Sequence, residues 1–347
     1  MRARSRREPQ ERGLEPNGSR GRSGAEGVYR GAQRLDKHPM CAGYAPLGII
    51  YEFEDHMTDR TSLGDRMKGY EHVPRTRLTP RMPMIIRVDG RAFHTYTKKL
   101  EHGDPSPWNP VMRDAMTDAA RALIREISGA KIAYIQSDEI SVLVTDYDKH
   151  SSQAWFDKGV QKVCSVSAAI ATMAFNNHIR SYVDQGLPAE MFPTTAVFDS
   201  RAFVLPKEDV RNYFIWRQRD ASKNSISMLA QAHFSTKELH GKSGNVKQEM
   251  LFSEKGLNWN DCPTWQKRGW CVTRATKKMT VAEHLEQGGV IRANPGIKLD
   301  PDSEIIRTLV EPDWDIPIFS AEPETPDTPP YIDQYVYLDA DDTGDSE

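Results

Sequence analysis

Three features of the 347-residue sequence predict an α+β protein. Short apolar runs that read as strands alternate with segments of helical period, the helical segments begin at recognisable caps, and two strand-like runs lie close enough to form a hairpin. Met84-Ile85-Ile86-Arg87-Val88-Asp89 closes on a carboxylate and is followed at once by Gly90, so it predicts a buried strand that delivers Asp89 to a turn. Asn109-Pro110 pairs an N-cap with a proline at the first helical position. Met112, Ala115, Met116, Ala119, Leu123 and Ile127 then recur with helical period until Ser128-Gly129 stops the helix. Residues 131–135 and 140–144 are apolar runs separated by Gln136-Ser137-Asp138-Glu139, a hairpin with its acids at the tip. A second helix is predicted over about residues 153–180, with Phe156, Val160, Val163, Ile170 and Met173 as its buried stripe and Lys158, Lys162 and Ser165 on another face. A strand over residues 195–199 follows, then a helix or pair of helices from Glu208 to about Phe234. A shorter helix starts near Ser235, whose partner Glu238 completes a capping box. No internal repeat is present.

Composition narrows the class. Apolar residues make up 38% and charged residues 27%, a globular balance, and no run reaches the roughly 18 apolar residues of a membrane helix. The four cysteines, Cys41, Cys164, Cys262 and Cys271, lack any CxxC spacing, which argues against a structural zinc site and a secreted disulfide framework and favours the reducing cytoplasm. Charge is uneven along the chain. Residues 1–56 are Arg-, Gly- and Glu-rich, carry a net +2 and read as a disordered basic leader, with Met57 an alternative start of translation. Residues 321–347 hold nine acids and no base, an acidic tail in which only residues 331–338 are apolar enough to dock. The body between them is +4, compatible with a polyanion partner without requiring one.

The chemistry resides in the acids. A strand end at Asp89 beside a hairpin tip at Asp138 and Glu139 would converge three carboxylates on one sheet edge, the oxygen-rich setting that Mg²⁺ selects, and a pair of such ions supports phosphoryl chemistry. The backbone of residues 90–94 offers N–H groups and a carbonyl to that edge, and Lys158 and Lys162, read as one helical turn apart, would neutralise a triphosphate. These parts suit nucleotidyl transfer. The plain alternative is an ordinary Asp-Gly turn, a solvated hairpin tip and a solvated lysine pair, and spacing leaves both open.

Four segments carry a resemblance that goes further: Ile86-Arg87-Val88-Asp89-Gly90-Arg91-Ala92-Phe93-His94, Ala133-Tyr134-Ile135-Gln136-Ser137-Asp138-Glu139-Ile140-Ser141, Phe198-Asp199-Ser200-Arg201 and Trp216-Arg217-Gln218-Arg219-Asp220. In order and spacing they resemble the tRNA-His guanylyltransferase family, enzymes that add nucleotides to the 5′ end of tRNA in the 3′-to-5′ direction; the similarity runs over about residues 63–332. The resemblance implies a polymerase-palm-like, ferredoxin-like antiparallel sheet with helices packed on one face, followed by helical and hairpin C-terminal elements. It divides the chain into a catalytic domain over 57–200 and a C-terminal part over 201–320 that contacts tRNA, and it implies a homotetramer. By match of motif Asp89, the Gly90 carbonyl and Asp138 would ligate two Mg²⁺ ions, with Glu139 in support. Asp89, Gly90, Arg91, Ala92, Phe93, His94, Ser137, Asp138, Lys158 and Lys162 would bind the nucleotide. The implied substrates are GTP and other nucleoside triphosphates, with ATP commonly activating a 5′ monophosphate before the 3′-hydroxyl of the incoming nucleotide attacks.

Departures from the family pattern point to a branch. Eukaryotic members that add guanosine to tRNA-His carry His-Ile-Asn-Asn shortly after the Trp-Arg-Gln motif, where this chain has Ser222-Lys223-Asn224-Ser225. Together with His240-Gly241-Lys242 and Gly256-Leu257-Asn258-Trp259, this is similar to the bacterial and phage guanylyltransferase-like proteins, which favour templated repair of 5′-truncated tRNA. Arg201, Arg217, Lys237, Lys242, Lys267 and Arg268 are the cations nominated for tRNA phosphates, with Arg201 and Arg217 alternatively paired to Asp199 or Asp220 inside the fold. His94 is expected to contact a base or ribose; His240, Trp216, Trp259 and Trp265 are expected to be structural, and Cys164 an ordinary buried thiol. The rivals are a dedicated tRNA-His guanylyltransferase, a non-catalytic RNA-binding module, and a palm-fold cyclase acting on free nucleotide.

Overall fold

The computed structural model of the chain describes residues 61–97, 107–186, 195–286, 291, 300–320 and 328–337. The expected leader over 1–56, with Cys41, lies outside them, as do Met57 and residues 321–327 and 338–347 of the expected acidic tail.

In chain order the described elements begin with α1 (Ser62–His72), β1 (Met84–Gly90), α2 (Phe93–Thr97), α3 (Pro110–Glu126), β2 (Ala130–Gln136), β3 (Glu139–Val144) and α4 (Val160–Asp184). They continue with β4 (Phe198–Val204), α5 (Lys207–His233), α6 (Thr236–Leu239), α7 (Gly244–Lys255), α8 (Thr264–Arg268), β5 (Trp270–Thr280), α9 (Val281–Glu286) and β6 (Glu304–Asp313). All the strands join one antiparallel sheet in the order β4-β1-β3-β2-β5-β6. The first four carry the βαββαβ ferredoxin-like order, and β5 with β6 extend it from β2 as a long antiparallel pair.

Alternation along β1 explains the two layers. Met84, Ile86 and Val88 face α3 and α4, where Met112, Ala115, Met116, Ala119 and Leu123 form the stripe expected of the first helix. Asn109 caps α3 as its sequence requires, its side chain accepting from the N–H groups of Val111 and Met112. The helix ends before Gly129, whose φ of 80° and whose approach to the Thr145 carbonyl leave no room for a Cβ. Ile85 faces the opposite way, with Leu143, Ile132 and Tyr134, and this second face is covered by Val210, Tyr213 and Phe214 of α5. The docking expected of residues 331–338 is seen for its described part: Ile332 and Val336 are buried on the α5 face, the Tyr331 ring stacks on Phe319, and Arg211 pairs with Asp333. Among the described residues no helix is long and apolar enough to cross a membrane.

Three expectations change. The second long helix starts at Val160, not near residue 153, because Phe156, Asp157 and Lys158 all take left-handed φ values of 47°, 51° and 52°. Its buried stripe is Val163, Ser167, Ala171, Phe175 and Ile179, whereas Phe156 and Met173 are exposed. The strand read at 195–199 runs instead over β4, paired along the whole of β1. By contrast α5 is a single helix, and the Ser235–Glu238 capping box forms as read.

Lys158 is the largest correction. It is 2% exposed and ion-paired to the buried Asp146, and its ammonium also donates to the carbonyls of Thr79 (3.0 Å) and Met82 (2.8 Å). With three acceptors for its ammonium it is part of the scaffold and has no donor left for a triphosphate. Lys158→Ala should therefore lower unfolding free energy by about 3–5 kcal/mol, because it leaves Asp146 buried and unpaired. Denaturant unfolding checks this, and a stability equal to the parent's would return Lys158 to the surface.

Candidate active site

The site forms where β1 ends and the β2–β3 turn begins. Asp89 is in register with Glu139 of β3 on one side and with Asp199 of β4 on the other, so three carboxylates stand in a row across three strands. Directly opposed residues share a face, and like charges so placed repel. The turn between β2 and β3 consists of Ser137, at φ 50°, and Asp138, and the Gly90 N–H donates to the Asp138 carbonyl at 3.0 Å. That bond ties the two acid-bearing turns together. Gly90 is required: a Cβ there would lie 2.3 Å from the Phe93 ring. Phe93 is itself fixed by rings of Tyr96, Phe175 and Phe198 at 5.0–5.4 Å. The 90–94 turn is thus held from below by an aromatic cluster while Arg91, Ala92 and His94 remain exposed.

Electrostatics separate the acids into two kinds. Glu139 is buried and accepts from Arg217 at 2.8 and 2.7 Å, a two-pronged ion pair, with the Arg87 Nε a further 3.9 Å away. Burial raises the Asp89 carboxyl above its ordinary value of 3.8, and Glu139 and Asp199 push it the same way against Arg201 and Arg87. Asp138 is also raised, first by burial, with Asp89 and Glu139 adding repulsion against hydrogen bonds from its own backbone and Ser137. Hard oxygens held close against mutual repulsion fit a hard divalent cation, which would relieve both. Among the described residues no three Asp, Glu, His or Cys side chains enclose an ion, so a metal here would rest on two aspartates, a carbonyl and water.

An open cleft of about 890 Å³, counting its solvent-filled mouth, adjoins the turn. Gln136 and Ser137 form one wall, and Trp108, Asn109, Asn224 and Trp265 complete it. Apolar rings with a few convergent polar groups are the usual lining of a small-molecule site. Sequence reading missed this cleft: Asn109 was visible only as a helix cap and Trp265 only as structural, because their meeting depends on α5 and α8 crossing over the strand ends.

The matched motifs acquire physical roles. Arg217 holds Glu139, and Gln218 pins the chain at Pro317 and Phe319. Asp199 joins the acid row, Ser200 bonds Ser167 of α4 at 2.8 Å, and Arg201 reaches Asp199 at 3.1 Å and Asp89 at 3.8 Å. The site therefore gathers Asp89, residues 90–94, Ser137, Asp138 and Glu139, but not the lysines. Lys162 lies in the first turn of α4 beside residues 75–77, and its ammonium sits over the Phe156 ring. That is the Met84–Val144 end of the sheet, a strand length of about 17 Å from Asp89. Of the cations nominated for tRNA, Arg217 is 7% exposed and committed to Glu139, so it contacts no phosphate. Arg268 donates to the Ile316 carbonyl and Lys267 to that of Asn260, while Lys237 and Lys242 are exposed. Cys164 is only half-buried, a correction to its reading as a buried thiol.

Both aspartates have folded values above their ordinary range, so ionising them opposes folding: the stability they confer is present below the ordinary carboxylate value and lost as pH rises through the raised one. In divalent-free buffer at pH 7, Asp89→Asn should melt at or above the parent's temperature, and the difference should shrink as pH approaches the ordinary value of 3.8. Thermal scans across pH check this; a variant melting well below the parent at pH 7 contradicts it.

Comparison with known proteins agrees with this geometry. Residues 64–206 match the family model described as tRNA-His guanylyltransferase. The Neurospora crassa tRNA(His) guanylyltransferase is 27% identical over 248 residues, covering 66% of this chain and 82% of that protein. The Schizosaccharomyces pombe protein of the same name is 29% identical, covering 58% and 77% respectively. A bacterial tRNA(His) guanylyltransferase-like protein solved in complex with ATP is 42% identical, with a TM-score of 0.62 over 80% of this chain and 100% of its own; its complex with GTP gives 40% and 0.60 over the same shares. With the whole of that bacterial chain matched at this identity, the protein belongs to the tRNA-His guanylyltransferase family.

Proposed function

We propose that the protein is a Mg²⁺-dependent 3′-to-5′ nucleotidyltransferase that adds nucleotides to the 5′ end of tRNA. The observation that carries this reading is the convergence of Asp89 and Asp138, both raised in pKa, on one edge beside an open cleft. Asp89, Asp138 and the Gly90 carbonyl would hold the metal, which when bound supplies charge neutralisation at the transferred phosphate and a more acidic attacking hydroxyl. Glu139, clamped by Arg217, would keep Asp89 in place across the strand pair. The exposed residues Arg91, Ala92 and His94 of the 90–94 turn would face the triphosphate, and the Trp108–Trp265 cleft would receive its base. The nucleotide's 3′ oxygen then bonds to the 5′ phosphorus of the RNA, and the activating nucleotide, or pyrophosphate from a triphosphate end, departs.

Templated repair of 5′-truncated tRNA is the finer reading, supported by Ser222-Lys223-Asn224-Ser225 in place of the His-Ile-Asn-Asn segment and by the 42% identity to a bacterial guanylyltransferase-like protein. Arg201, Lys237 and Lys242 would contact tRNA phosphates, and the protein would act as a homotetramer.

Asp89→Ala and Asp138→Ala should each lower addition of labelled nucleotide to a 5′-truncated tRNA on the order of 10²–10³-fold, and chelation of divalent ions should do the same to the parent. Undiminished activity in either variant would remove the acids from the mechanism. In the same assay, extension of several tRNAs according to the opposing base supports repair; a single guanosine added only to tRNA-His would replace it with the dedicated activity.

A further inference from the structure

We infer that Trp216 is a stacking platform for the terminal base of the RNA strand being extended, positioning its 5′ phosphate at Asp89; this rests on the nucleotidyl-transfer reading above. A single exposed aromatic is ordinary on a protein surface, so the argument lies in where this one stands. Trp216 is 53% exposed. It belongs to the part of α5 that spans the acid-bearing strands, between Tyr213, whose hydroxyl meets Ser141 at 2.8 Å, and Arg217, which grips Glu139. Phe214 turns toward β2, against Tyr134, and the Tyr213 ring meets Phe203 of β4. The rotation of about 100° per residue then directs Trp216 to the β4 flank, the side of Asp199 and Arg201.

Two reactants must meet at the acids, and the structure has an aromatic surface on each side of them. The Trp108–Trp265 cleft opens on the β2–β3 turn and suits the nucleoside triphosphate. Trp216 stands across the acid row from it, with the half-exposed Arg201 beside Asp89 as a cation for the strand's phosphate. The ring is held in place, edge-on to Tyr213 at 5.8 Å and under the Arg217 guanidinium at 4.6 Å, so little side-chain freedom remains to be lost on binding. Stacking also suits the chemistry: every base has a π-face, so a ring accepts any terminal nucleotide and leaves selection to base pairing.

The test is steady-state addition to a 5′-truncated tRNA with the full chain. At saturating GTP, Trp216→Ala should raise KM for the RNA about 10–100-fold while KM for GTP stays within about twofold, and Trp216→Phe should recover most of the loss. An unchanged RNA KM, or a rise confined to GTP, overturns the inference. Should the alanine variant fail to fold, tryptophan fluorescence decides: the quenching caused by an RNA oligonucleotide with an unpaired 5′ end should be reduced in Trp216→Phe, and quenching equal to the parent's overturns it. RNA affinity by fluorescence anisotropy, without nucleotide, separates the two claims. A parent that adds no nucleotide, with RNA affinity still weakened by Trp216→Ala, sinks the enzymatic reading alone; an active parent whose RNA KM ignores the substitution sinks this inference alone.

Discussion

Like charges placed opposite one another across β-strands are the constraint on which the site depends. Asp199, Asp89 and Glu139 occupy one register line, and a sheet places the carboxylates of such a line on the same face within reach of each other. A fold selected only for stability would put an apolar residue at the centre of that row. Here the repulsion is contained by three arginines: Arg217 is spent on Glu139, Arg87 approaches the same acid from the neighbouring register, and Arg201 lies between Asp199 and Asp89. The central acid is left with the least direct compensation, which is why burial and its neighbours raise it.

Much of the remaining architecture serves to hold that row at a sheet edge. The ferredoxin-like crossover puts β1 between β3 and β4, so one strand end meets both neighbours' acids. The aromatic cluster under Phe93 keeps the turn after Asp89 from relaxing, and the Gly90 bond to Asp138 fixes the spacing of the two turns. On the other face, α5 supplies Arg217 only because Val210, Tyr213 and Phe214 seat it on the sheet and the segment around Ile332 and Val336 seals the same cluster. Packing and chemistry are therefore coupled through α5: its buried side fixes the angle at which its polar residues reach the acids.

Local signals account for what was legible in the sequence. A helix cap, two closely spaced apolar runs and a run ending in Asp-Gly are decided within a few residues, and α3, the β2–β3 hairpin and β1 appear where those signals put them, except that Glu139, read at the hairpin tip with Asp138, is the buried first residue of β3. The start of α4 was not legible, because the left-handed turn at residues 156–158 is stabilised by contacts of Lys158 with Asp146, Thr79 and Met82, all remote or on another element. Helical spacing alone made Lys158 and Lys162 neighbours on a surface; burial made one a core ion pair, and the antiparallel return of α4 put the other at the wrong end of the sheet.

By itself, then, the sequence determined where the acid-bearing segments lie and which elements they end, since caps, turns and strand runs are short-range and the four motifs are specific. Only the tertiary structure decided how charge is distributed among them. Whether a lysine faces solvent or an aspartate, whether Arg217 meets RNA or Glu139, and where a cleft opens all depend on strand register and on helices crossing from distant parts of the chain. Register and crossing are set by the burial of whole faces, a long-range condition that no local pattern of residues contains.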